Sequence, residues 1–600
     1  MTAAHGRRPA RAGEGEVRAE LAGTVVEIAE PGARVAAGGE LAVLESMKME
    51  HAVTAAGPVV VIRAARKAGD TVAAGDLLLV TAPADADGHV RPEAAAAEAP
   101  GARGVRADLA EVLERHRVTT DAARPEAMAK LRARGRRSAR ENLADLVDEG
   151  SLAEYAPLAI AAQRRRRPLA ELIAQTPADG LVGGLATVNG HETVVMSYDY
   201  TVLAGTQGYV NHAKTDRLIA LAARRRVPLV IFPEGGGGRP GDTDHPVTAG
   251  LSVPTFRELA ALRGTVPLVA VVSGRCFAGN AALAGTCDVI IATPDANLGM
   301  GGPAMIEGGG LGVVRPEEIG PADVQTRNGV IDVLAADEAE AVALARRYLS
   351  YFQGPRDGWR APDAARARDV VPENRLRAYD VHDAIDAIFD VGSVLELRPR
   401  YGPGVVTALA RVEGRPCGVI ANNALHLGGA IDAEAAQKAR EFLRIVGDFG
   451  LPLVSLCDTP GFMVGPAAEE QASVRRFAEL FAAGAALPSR TGVIVLRKAY
   501  GLGAMAMATG SFRAPDFTVS WPTGEFGGMG LEGAVKLGFR RELDAEPDPA
   551  RRRELYDGLL AAAYEQGRAL NAASAFEIDD VIDPADSRRW ISRLFAPESR

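Results

Sequence analysis

The run Val271-Val-Ser-Gly-Arg-Cys-Phe-Ala-Gly-Asn280 leads from apolar, strand-forming residues into a turn of small ones. Val493-Ile-Val-Leu-Arg-Lys-Ala-Tyr-Gly-Leu-Gly503 repeats this pattern about 220 residues later. Short apolar runs of this kind alternate with Ala- and Arg-rich helical stretches, which is typical of an α/β fold. The sequence therefore predicts two similar α/β halves, residues 103–370 and residues 371–600.

The preceding part of the chain has a different pattern. Residues 16–81 contain short Val-rich runs punctuated by glycine, which predict strands. Gly23-Thr-Val-Val-Glu-Ile and Gly57-Pro-Val-Val-Val-Ile are copies of one unit, so two small β units are expected to face each other across a pseudo-twofold axis. Residues 82–102 are rich in Ala, Pro, Glu and Asp and predict a flexible linker.

Between the two copies lies Glu45-Ser-Met-Lys-Met-Glu50, which must turn at an exposed end of the β domain. An amine on a protruding turn is what a tethered prosthetic group requires, and the alternative is an ordinary surface lysine. The motif and its surroundings resemble biotinyl carrier domains, whereas the related lipoyl domains usually lack the two flanking methionines. The resemblance implies a flattened barrel of two four-stranded sheets. It also implies covalent biotin on Lys48, between Met47 and Met49, attached by a biotin protein ligase.

The two small-residue turns predict sites for anions. Phe277-Ala-Gly-Asn-Ala281 and Gly501-Leu-Gly-Ala504 each follow a strand, and backbone N–H groups at a helix N-terminus stabilise developing negative charge. The alternative is tight packing of small residues under a helix. Gly501-x-Gly503-x-x-Ala506 mimics a dinucleotide fingerprint but lies too late in the chain to open a nucleotide-binding unit. Gly235 to Gly238 lacks the ending of a phosphate loop and is predicted to border the active site.

Five further stretches carry a second resemblance. They are Lys130-Leu-Arg-Ala-Arg through Tyr155, Gly274 through Ala281, Asp458-Thr-Pro-Gly-Phe462, Arg497-Lys-Ala-Tyr-Gly501 and Trp521-Pro-Thr-Gly-Glu525. In this order they resemble the carboxyltransferase components of biotin-dependent acyl-CoA carboxylases, such as propionyl-CoA and methylcrotonyl-CoA carboxylase. The resemblance implies a crotonase-like ββα spiral in each half and six chains per assembly. It also implies transfer of the carboxyl group of carboxybiotin to the α-carbon, or vinylogous carbon, of an acyl-CoA, within a ligase complex that forms carbon–carbon bonds.

The same resemblance implies roles for individual residues. In the N-terminal, acyl-CoA half, Ala278 and Gly279 are expected to donate N–H groups to the thioester enolate. In the C-terminal half, which binds the biotin of another subunit, Leu502 and Gly503 are expected to donate to the ureido oxygen. The neighbouring Phe277, Asn280, Gly501 and Met505 are expected to line the substrate sites. Neither turn offers an evident side-chain base.

Three positions depart from the family pattern. Ala278-Gly279 and Leu502-Gly503 stand where the family usually has Gly-Gly, which changes shape more than N–H donation. Met505 replaces an Asp of propionyl-type enzymes, and a flexible apolar side chain suits a different, bulkier acyl group. Gly320-Pro321 replaces a Gly-Gly pair and removes one donor.

The basic run from Arg164 to Arg167 offers contacts for CoA phosphates, with Arg164 and Arg165 as candidates, because arginine suits bidentate phosphate binding. The alternative is a solvated loop. The histidines show no metal-ligand spacing, so no metal site is predicted. The four cysteines lack Cys-x-x-Cys spacing and are predicted to be reduced, packed thiols.

Composition excludes several classes of protein. A net charge of -9 argues against a nucleic-acid binder, and no apolar run reaches the roughly 18–20 residues that span a bilayer. The N-terminus lacks the apolar core of a signal peptide, so a cytoplasmic protein without a membrane partner is expected. The chain contains no plausible ATP-binding domain. ATP and Mg²⁺ are therefore expected to act only through a separate biotin carboxylase subunit.

Two other functions remain open from the sequence. One is a biotin-dependent decarboxylase or transcarboxylase, which runs the same half-reaction in reverse. The other is a biotinylated scaffold whose transferase site has degenerated, motivated by the departures from the family pattern. Exchange of label between malonyl-type CoA esters and free biotin distinguishes an active site from a scaffold.

Overall fold

The computed structural model describes residues 13–84, 105–245 and 249–595. The chain divides into two compact units between Glu111 and Val112. Most of the predicted linker, from residue 85 on, and the predicted start of the first half at residue 103 lie outside the described residues. In the described part of the chain, every helix is too short or too polar to cross a lipid bilayer.

The first unit contains the predicted small β domain, which extends two residues beyond its predicted end. Its strands are β1 Gly15–Arg18, β2 Gly23–Ile28, β3 Arg34–Val35, β4 Glu40–Ser46, β5 Met49–Thr54, β6 Val59–Ala64, β7 Thr71–Val72 and β8 Leu77–Pro83. They form two four-stranded sheets, ordered β1-β8-β6-β3 and β5-β4-β2-β7. Each sheet thus takes strands from both copies of the repeat, which confirms the predicted flattened barrel.

Reciprocal hydrogen bonds define the pseudo-twofold axis of the barrel. The Gly32 N–H donates to the Val61 carbonyl at 2.7 Å, and the Gly69 N–H donates to the Val25 carbonyl at 2.8 Å. Val25 is therefore equivalent to Val61, not to Val59 as the two matching sequences suggest. The duplication is as predicted, but its register is shifted by two residues.

Two sheets in the second unit correspond to the two predicted halves. The strands of the first half are β9 Ala153–Glu154, β10 Leu181–Val188, β11 His191–Tyr198, β12 Leu229–Phe232, β13 Leu268–Val272, β14 Arg275–Phe277, β15 Val289–Ala292, β16 Asn297–Gly299 and β17 Val333–Leu334. Those of the second half are β18 Leu395–Leu397, β19 Val405–Val412, β20 Arg415–Asn422, β21 Leu453–Thr459, β22 Thr491–Tyr500, β23 Phe517–Ser520, β24 Glu525–Gly527 and β25 Asp580–Val581.

The two main sheets have the same strand order and the same strand directions. The first is β9-β10-β11-β12-β13-β15-β17, and the second is β18-β19-β20-β21-β22-β23-β25. In each sheet the first three strands are antiparallel and the rest run parallel. Beside them, β14 pairs with β16 and the end of β22 pairs with β24. The predicted duplication therefore extends to topology.

Helices pack against both sheets. They are α1 Ala107–Arg117, α2 Pro125–Arg132, α3 Ala139–Leu146, α4 Leu169–Gln175, α5 Tyr209–Arg225, α6 Thr255–Leu262, α7 Gly279–Thr286, α8 Pro303–Gly308, α9 Ala322–Arg327, α10 Glu338–Ser350, α11 Val381–Ile388, α12 Ala433–Asp448, α13 Pro466–Glu469, α14 Ser473–Ala485, α15 Gly501–Met507, α16 Leu531–Gly538, α17 Arg540–Ala545, α18 Pro549–Gln566, α19 Ala569–Ser574 and α20 Ser587–Ile591. Apolar residues of α3, α10 and α12 join one core that contains residues of both sheets.

Residues on both sides of the predicted boundary at residue 370 pack with the second half. Ala367 and Val371 both pack in a core formed by the second sheet. Arg368 also forms an ion pair with Asp583, near the end of the second half. All four cysteines are buried free thiols, as predicted.

The duplication places a buried lysine at the sixth position of α5 and again at the sixth position of α12. The ammonium of Lys214 donates to the carbonyls of Leu181 and Ala156. The ammonium of Lys438 is 1% exposed and has no hydrogen-bond partner in the described residues. Burial lowers the pKa of both side chains from 10.5 to about 8.

Matched substitutions of these lysines are expected to have opposite effects on stability. Lys438→Met removes an unpaired buried charge and should raise the free energy of unfolding by about 1–3 kcal/mol. Lys214→Met leaves the buried Leu181 carbonyl and the more exposed Ala156 carbonyl without their donor and should lower it by about 1–3 kcal/mol. Denaturant titrations with each variant measure both changes. A loss of stability in Lys438→Met equal to that in Lys214→Met would contradict the argument.

The lowered pKa values also predict how stability changes with pH. Between about pH 8 and 10 the unfolded chain keeps these lysines protonated while the folded chain releases the protons, so stability should rise with pH in that window. Lys438→Met should reduce this rise. Unfolding measured at pH 7.5 and pH 9.5 tests the sign.

Candidate functional site

Lys48 lies at the tip of the hairpin between β4 and β5. Ser46 pairs with Met49 across the hairpin, so Met47 and Lys48 alone form the turn. Both have positive φ, 50° and 68°, as in the two-residue turns that suit the twist of a hairpin. Met47 is 95% exposed and Met49 is 66% exposed. The turn therefore presents the Lys48 amine to solvent, in a conformation that non-glycine residues adopt at some cost.

The first small-residue turn joins β14 to α7 and has one unusual backbone conformation. Ala278 has φ 51° and ψ -121°, a region that favours glycine. Its N–H donates to the Gly299 carbonyl at 2.9 Å and is therefore not free for a ligand, contrary to the sequence-based assignment. Gly279 is the first residue of α7, where an N–H has no acceptor one turn earlier in the helix.

The side chain of Asn280 connects this turn to two neighbouring loops. It is fully buried, its Oδ1 accepts the Gly237 N–H at 2.9 Å, and its Nδ2 donates to the Gly205 carbonyl at 3.3 Å. Its place in the substrate site stays a prediction, and the hydrogen bonds of its side chain are made within the protein. Asn280 forms hydrogen bonds with two glycine-containing loops and holds both loops beside α7.

The glycine loop from residue 235 to residue 238 borders the turn, as the sequence predicts. A Cβ on Gly237 would stand 2.7 Å from the Ala278 Cβ and 3.6 Å from the Gly279 nitrogen. Gly279 is equally restricted, since a Cβ there would lie 2.0 Å from Oε1 of Gln207. A side chain on Gly237 would therefore collide with Ala278, and one on Gly279 would displace the end of the Gln207 side chain. Gly238 follows directly and is exposed.

The second turn, between β22 and α15, is the counterpart of the first. Phe277 ends β14 opposite Gly299, and Tyr500 ends β22 opposite Gly527. The next residue has positive φ in both cases, 51° at Ala278 and 57° at Gly501. Ala278 thus corresponds to Gly501, and Gly279 corresponds to Leu502. The residue pairs inferred from the sequence are offset by one position.

Within the second turn, Leu502 and Gly503 have different surroundings. Leu502 is 62% exposed. Gly503 is buried, and a Cβ there would lie 2.7 Å from the Gly461 Cα and 3.0 Å from the Phe462 nitrogen. Met505 is 39% exposed, on the first turns of α15. Gly503 therefore permits the approach of the loop that contains Gly461 and Phe462.

Each central strand also leads to an acid with little exposed surface that sequence reasoning missed. Glu234 follows β12 and pairs with Arg136 at 2.9 Å, and burial raises the pKa of its carboxyl to about 8. Asp458 lies at the end of β21, pairing with Lys498 at 2.7 Å and Arg497 at 3.1 Å. Each acid is the sixth residue counted from the first residue of its strand, a signal that alignment of the two halves would have revealed.

A basic cavity of about 770 Å³ lies in the first half. Arg124, Lys130, Arg134 and Arg167 are among its lining residues. Arg124 already pairs with Asp199 at 2.8 Å. Of the basic run, Arg164 and Arg165 are exposed and do not line the cavity, so the structure does not bring these two predicted residues to it.

The remaining departure from the family pattern, Gly320-Pro321, lies in the first half. Gly320 has φ 53°, and its carbonyl accepts the Leu298 N–H at 2.9 Å, so Gly320-Pro321 lies beside β16. The described residues contain no cluster of three or more His, Cys, Asp or Glu that could hold a metal ion.

Comparisons with known proteins agree with this geometry. Residues 130–598 match the family model described as carboxyl transferase domain, and residues 15–81 match biotin-requiring enzyme. The methylmalonyl-CoA carboxyltransferase 12S subunit of Propionibacterium freudenreichii subsp. shermanii is 33% identical over 481 residues, which cover 77% of this chain and 88% of that subunit.

Two solved structures are similar. A transcarboxylase 12S crystal structure is 29% identical with a TM-score of 0.72, covering 82% of this chain and 95% of that one. A single-chain, multi-domain long-chain acyl-CoA carboxylase is 62% identical with a TM-score of 0.79. The match covers 98% of this chain but only 57% of that carboxylase.

The duplicated sheets therefore have the crotonase-like fold of 12S transcarboxylase, and the barrel is a biotin-carrying domain. The chain belongs to the carboxyltransferase family of the biotin-dependent acyl-CoA carboxylases.

Proposed function

We propose that this chain transfers a carboxyl group from biotin held on Lys48 to a long-chain acyl-CoA. The observation that carries the proposal is the pair of equivalent strand-to-helix turns, in one polypeptide with the Lys48 hairpin. The exposed amine of the hairpin fits an amide link to biotin. The long-chain acyl group is supported by the 62% identity to a carboxylase of that description, and exposed Met505 is compatible with it.

In the acyl-CoA half, the N–H groups of Gly279 and Gly238 are the proposed donors to the thioester oxygen. Gly279 begins α7, so its N–H also lies at the positive end of the helix dipole. The Arg239 guanidinium holds the loop of Gly238 by pairing with buried Asp179 at 2.6 Å and donating to the Thr206 carbonyl at 2.8 Å. Donors fixed in advance stabilise the enolate without reorganisation during the reaction.

In the biotin half, the corresponding donors are the N–H groups of Leu502 and Phe462. Leu502 is the counterpart of Gly279, and the missing side chain of Gly503 lets the Phe462 amide approach α15. When bound, biotin supplies the carboxyl group, and its ureido oxygen gains negative charge as that group leaves. Asp458, Arg497 and Lys498 fix the end of β22 that leads into the turn.

The basic cavity is the proposed site for the phosphates of CoA. Lys130→Ala combined with Arg134→Ala is expected to raise KM for acyl-CoA about tenfold, with kcat changed less than about twofold, because charged hydrogen bonds to phosphate are lost. The effect should shrink at high salt. Arg164→Ala with Arg165→Ala is the matched control, and a larger KM increase in that control would contradict the assignment.

Attachment and carboxylation of biotin require activities other than carboxyl transfer. We propose that a biotin carboxylase supplies ATP- and Mg²⁺-dependent carboxylation, that a biotin protein ligase modifies Lys48, and that the chains form a hexamer in the cytoplasm. The hexamer is proposed from the assembly described for transcarboxylase 12S. The purified chain should not carboxylate its own biotin from ATP and bicarbonate, but should do so when a biotin carboxylase is added.

Label exchange tests the transferase function directly. The biotinylated chain should move labelled carboxyl between a malonyl-type CoA ester and biotin. A biotinylated chain that catalyses no exchange is a scaffold, and the proposal is then wrong.

A second candidate, transcarboxylation, is favoured by the 33% identity to the 12S carboxyltransferase. Transfer of the carboxyl group from methylmalonyl-CoA to a second acceptor, without ATP, would identify it.

A further inference from the structure

One segment of the first half exposes an unusual amount of apolar surface. Between β16 and residue 314, Met300, Met305, Leu311 and Val313 are 72%, 62%, 79% and 82% exposed. The short helix α8 within this segment has no buried residue. Soluble proteins rarely expose contiguous apolar side chains of this size unless the surface binds something apolar.

The segment starts at the proposed thioester turn. Gly299, directly before Met300, accepts the Ala278 N–H at 2.9 Å. A Cβ on Gly302 would lie 3.4 Å from the Phe277 ring, so this ring lies under the beginning of the segment. The apolar surface is therefore continuous with the position where the proposed function places the carbonyl end of the acyl group.

The segment is also built to adapt. Gly310 and Gly312 have φ of 72° and 100°, conformations that larger residues rarely adopt. Met300 and Met305 have unbranched, polarisable side chains that fit irregular apolar partners. These properties suit a flexible hydrocarbon chain better than a rigid partner.

We propose that the hydrocarbon tail of the acyl-CoA binds along this segment, with Met300 and Met305 as residues that determine chain-length specificity. The inference rests on the proposed function, because it takes the thioester to be bound at Gly279. Each methylene that leaves water for an apolar surface is worth about fourfold in affinity. We therefore expect kcat/KM to increase with the length of the acyl chain.

The test is a chain-length series on the biotinylated chain, with propionyl-, octanoyl- and palmitoyl-CoA and an added biotin carboxylase. The variant Met300→Gln with Met305→Gln keeps side-chain length but makes the surface polar. It should lower kcat/KM for palmitoyl-CoA at least about tenfold while propionyl-CoA changes less than about twofold. Val391→Thr, at a 48% exposed position in the turn before β18, is the control and should change neither.

Each outcome has a separate meaning. Equal loss for all acyl-CoAs, or no loss for palmitoyl-CoA, overturns the assignment of the tail. A wild-type preference for propionyl-CoA also overturns it and leaves carboxyl transfer intact. Wild-type failure with every acyl-CoA refutes the proposed function. Light scattering checks the assembly, and a selective loss that coincides with dissociation would show that a second copy covers the segment instead.

Discussion

Replacing Lys48 with arginine is expected to abolish carboxyl transfer by the full chain. Arginine keeps the positive charge and the length that the exposed hairpin tip tolerates, but its guanidinium stays protonated and does not form the amide link to biotin. Without the tether, the millimolar effective concentration of the prosthetic group is lost. Transfer should fall at least about a thousandfold, and intact-mass measurement should show an unmodified chain.

Lys67 provides the control because it is the other lysine among the described residues of the barrel. It is exposed, between β6 and β7. Lys67→Arg should retain both the mass of biotin and full transfer. If biotin is retained in Lys48→Arg but lost in Lys67→Arg, the attachment point is Lys67, and the assignment to Lys48 is wrong.

Replacing Leu502 with proline is expected to lower kcat by about 10²–10³, since removal of one N–H donor from an oxyanion site costs about 2.7–4 kcal/mol. Proline is tolerated in the first turn of a helix, where its missing N–H has no intrahelical acceptor. The change therefore removes the proposed donor while keeping α15. Because the acyl-CoA half is separate, KM for acyl-CoA should change less than about threefold.

Leu502→Ala is the matched variant, since it removes the exposed side chain but keeps the N–H. Its kcat should remain within about threefold of the wild type. Circular dichroism and unfolding midpoints check that both variants keep the fold. If alanine is as damaging as proline, the side chain of Leu502 matters and its N–H is not the donor.

The fold could be predicted from local patterns. Val-rich runs punctuated by glycine predicted the barrel. Apolar runs that end in turns of small residues, repeated once along the chain, predicted the two α/β halves. Lys48 was identified in the same way, because the residues of a two-residue hairpin turn are neighbours in the sequence. The positive φ of Met47 and Lys48 was not predicted, since neither residue type is a usual choice for such a turn.

The donors of the site could not be assigned from the sequence. From the sequence, Ala278 seemed as suitable an N–H donor as Gly279. In the structure its N–H donates to the carbonyl of Gly299 in β16, which the sequence pattern does not show. The side chain of Asn280 similarly forms hydrogen bonds with the backbone of Gly237 and Gly205. The one-residue offset between the two turns became evident only from the strand pairing of each.

The sequence by itself thus determined the carrier hairpin, the duplication and the family of this protein, because these depend on residues close together in the chain. Tertiary structure alone decided which amides are free, which arginines surround the cavity and which buried lysine lacks a partner. Those properties depend on groups far apart in the chain, such as Arg136 and Glu234, 98 residues apart. A backbone amide has the same chemistry in every non-proline residue, so only the position of its acceptor shows whether it is available for catalysis.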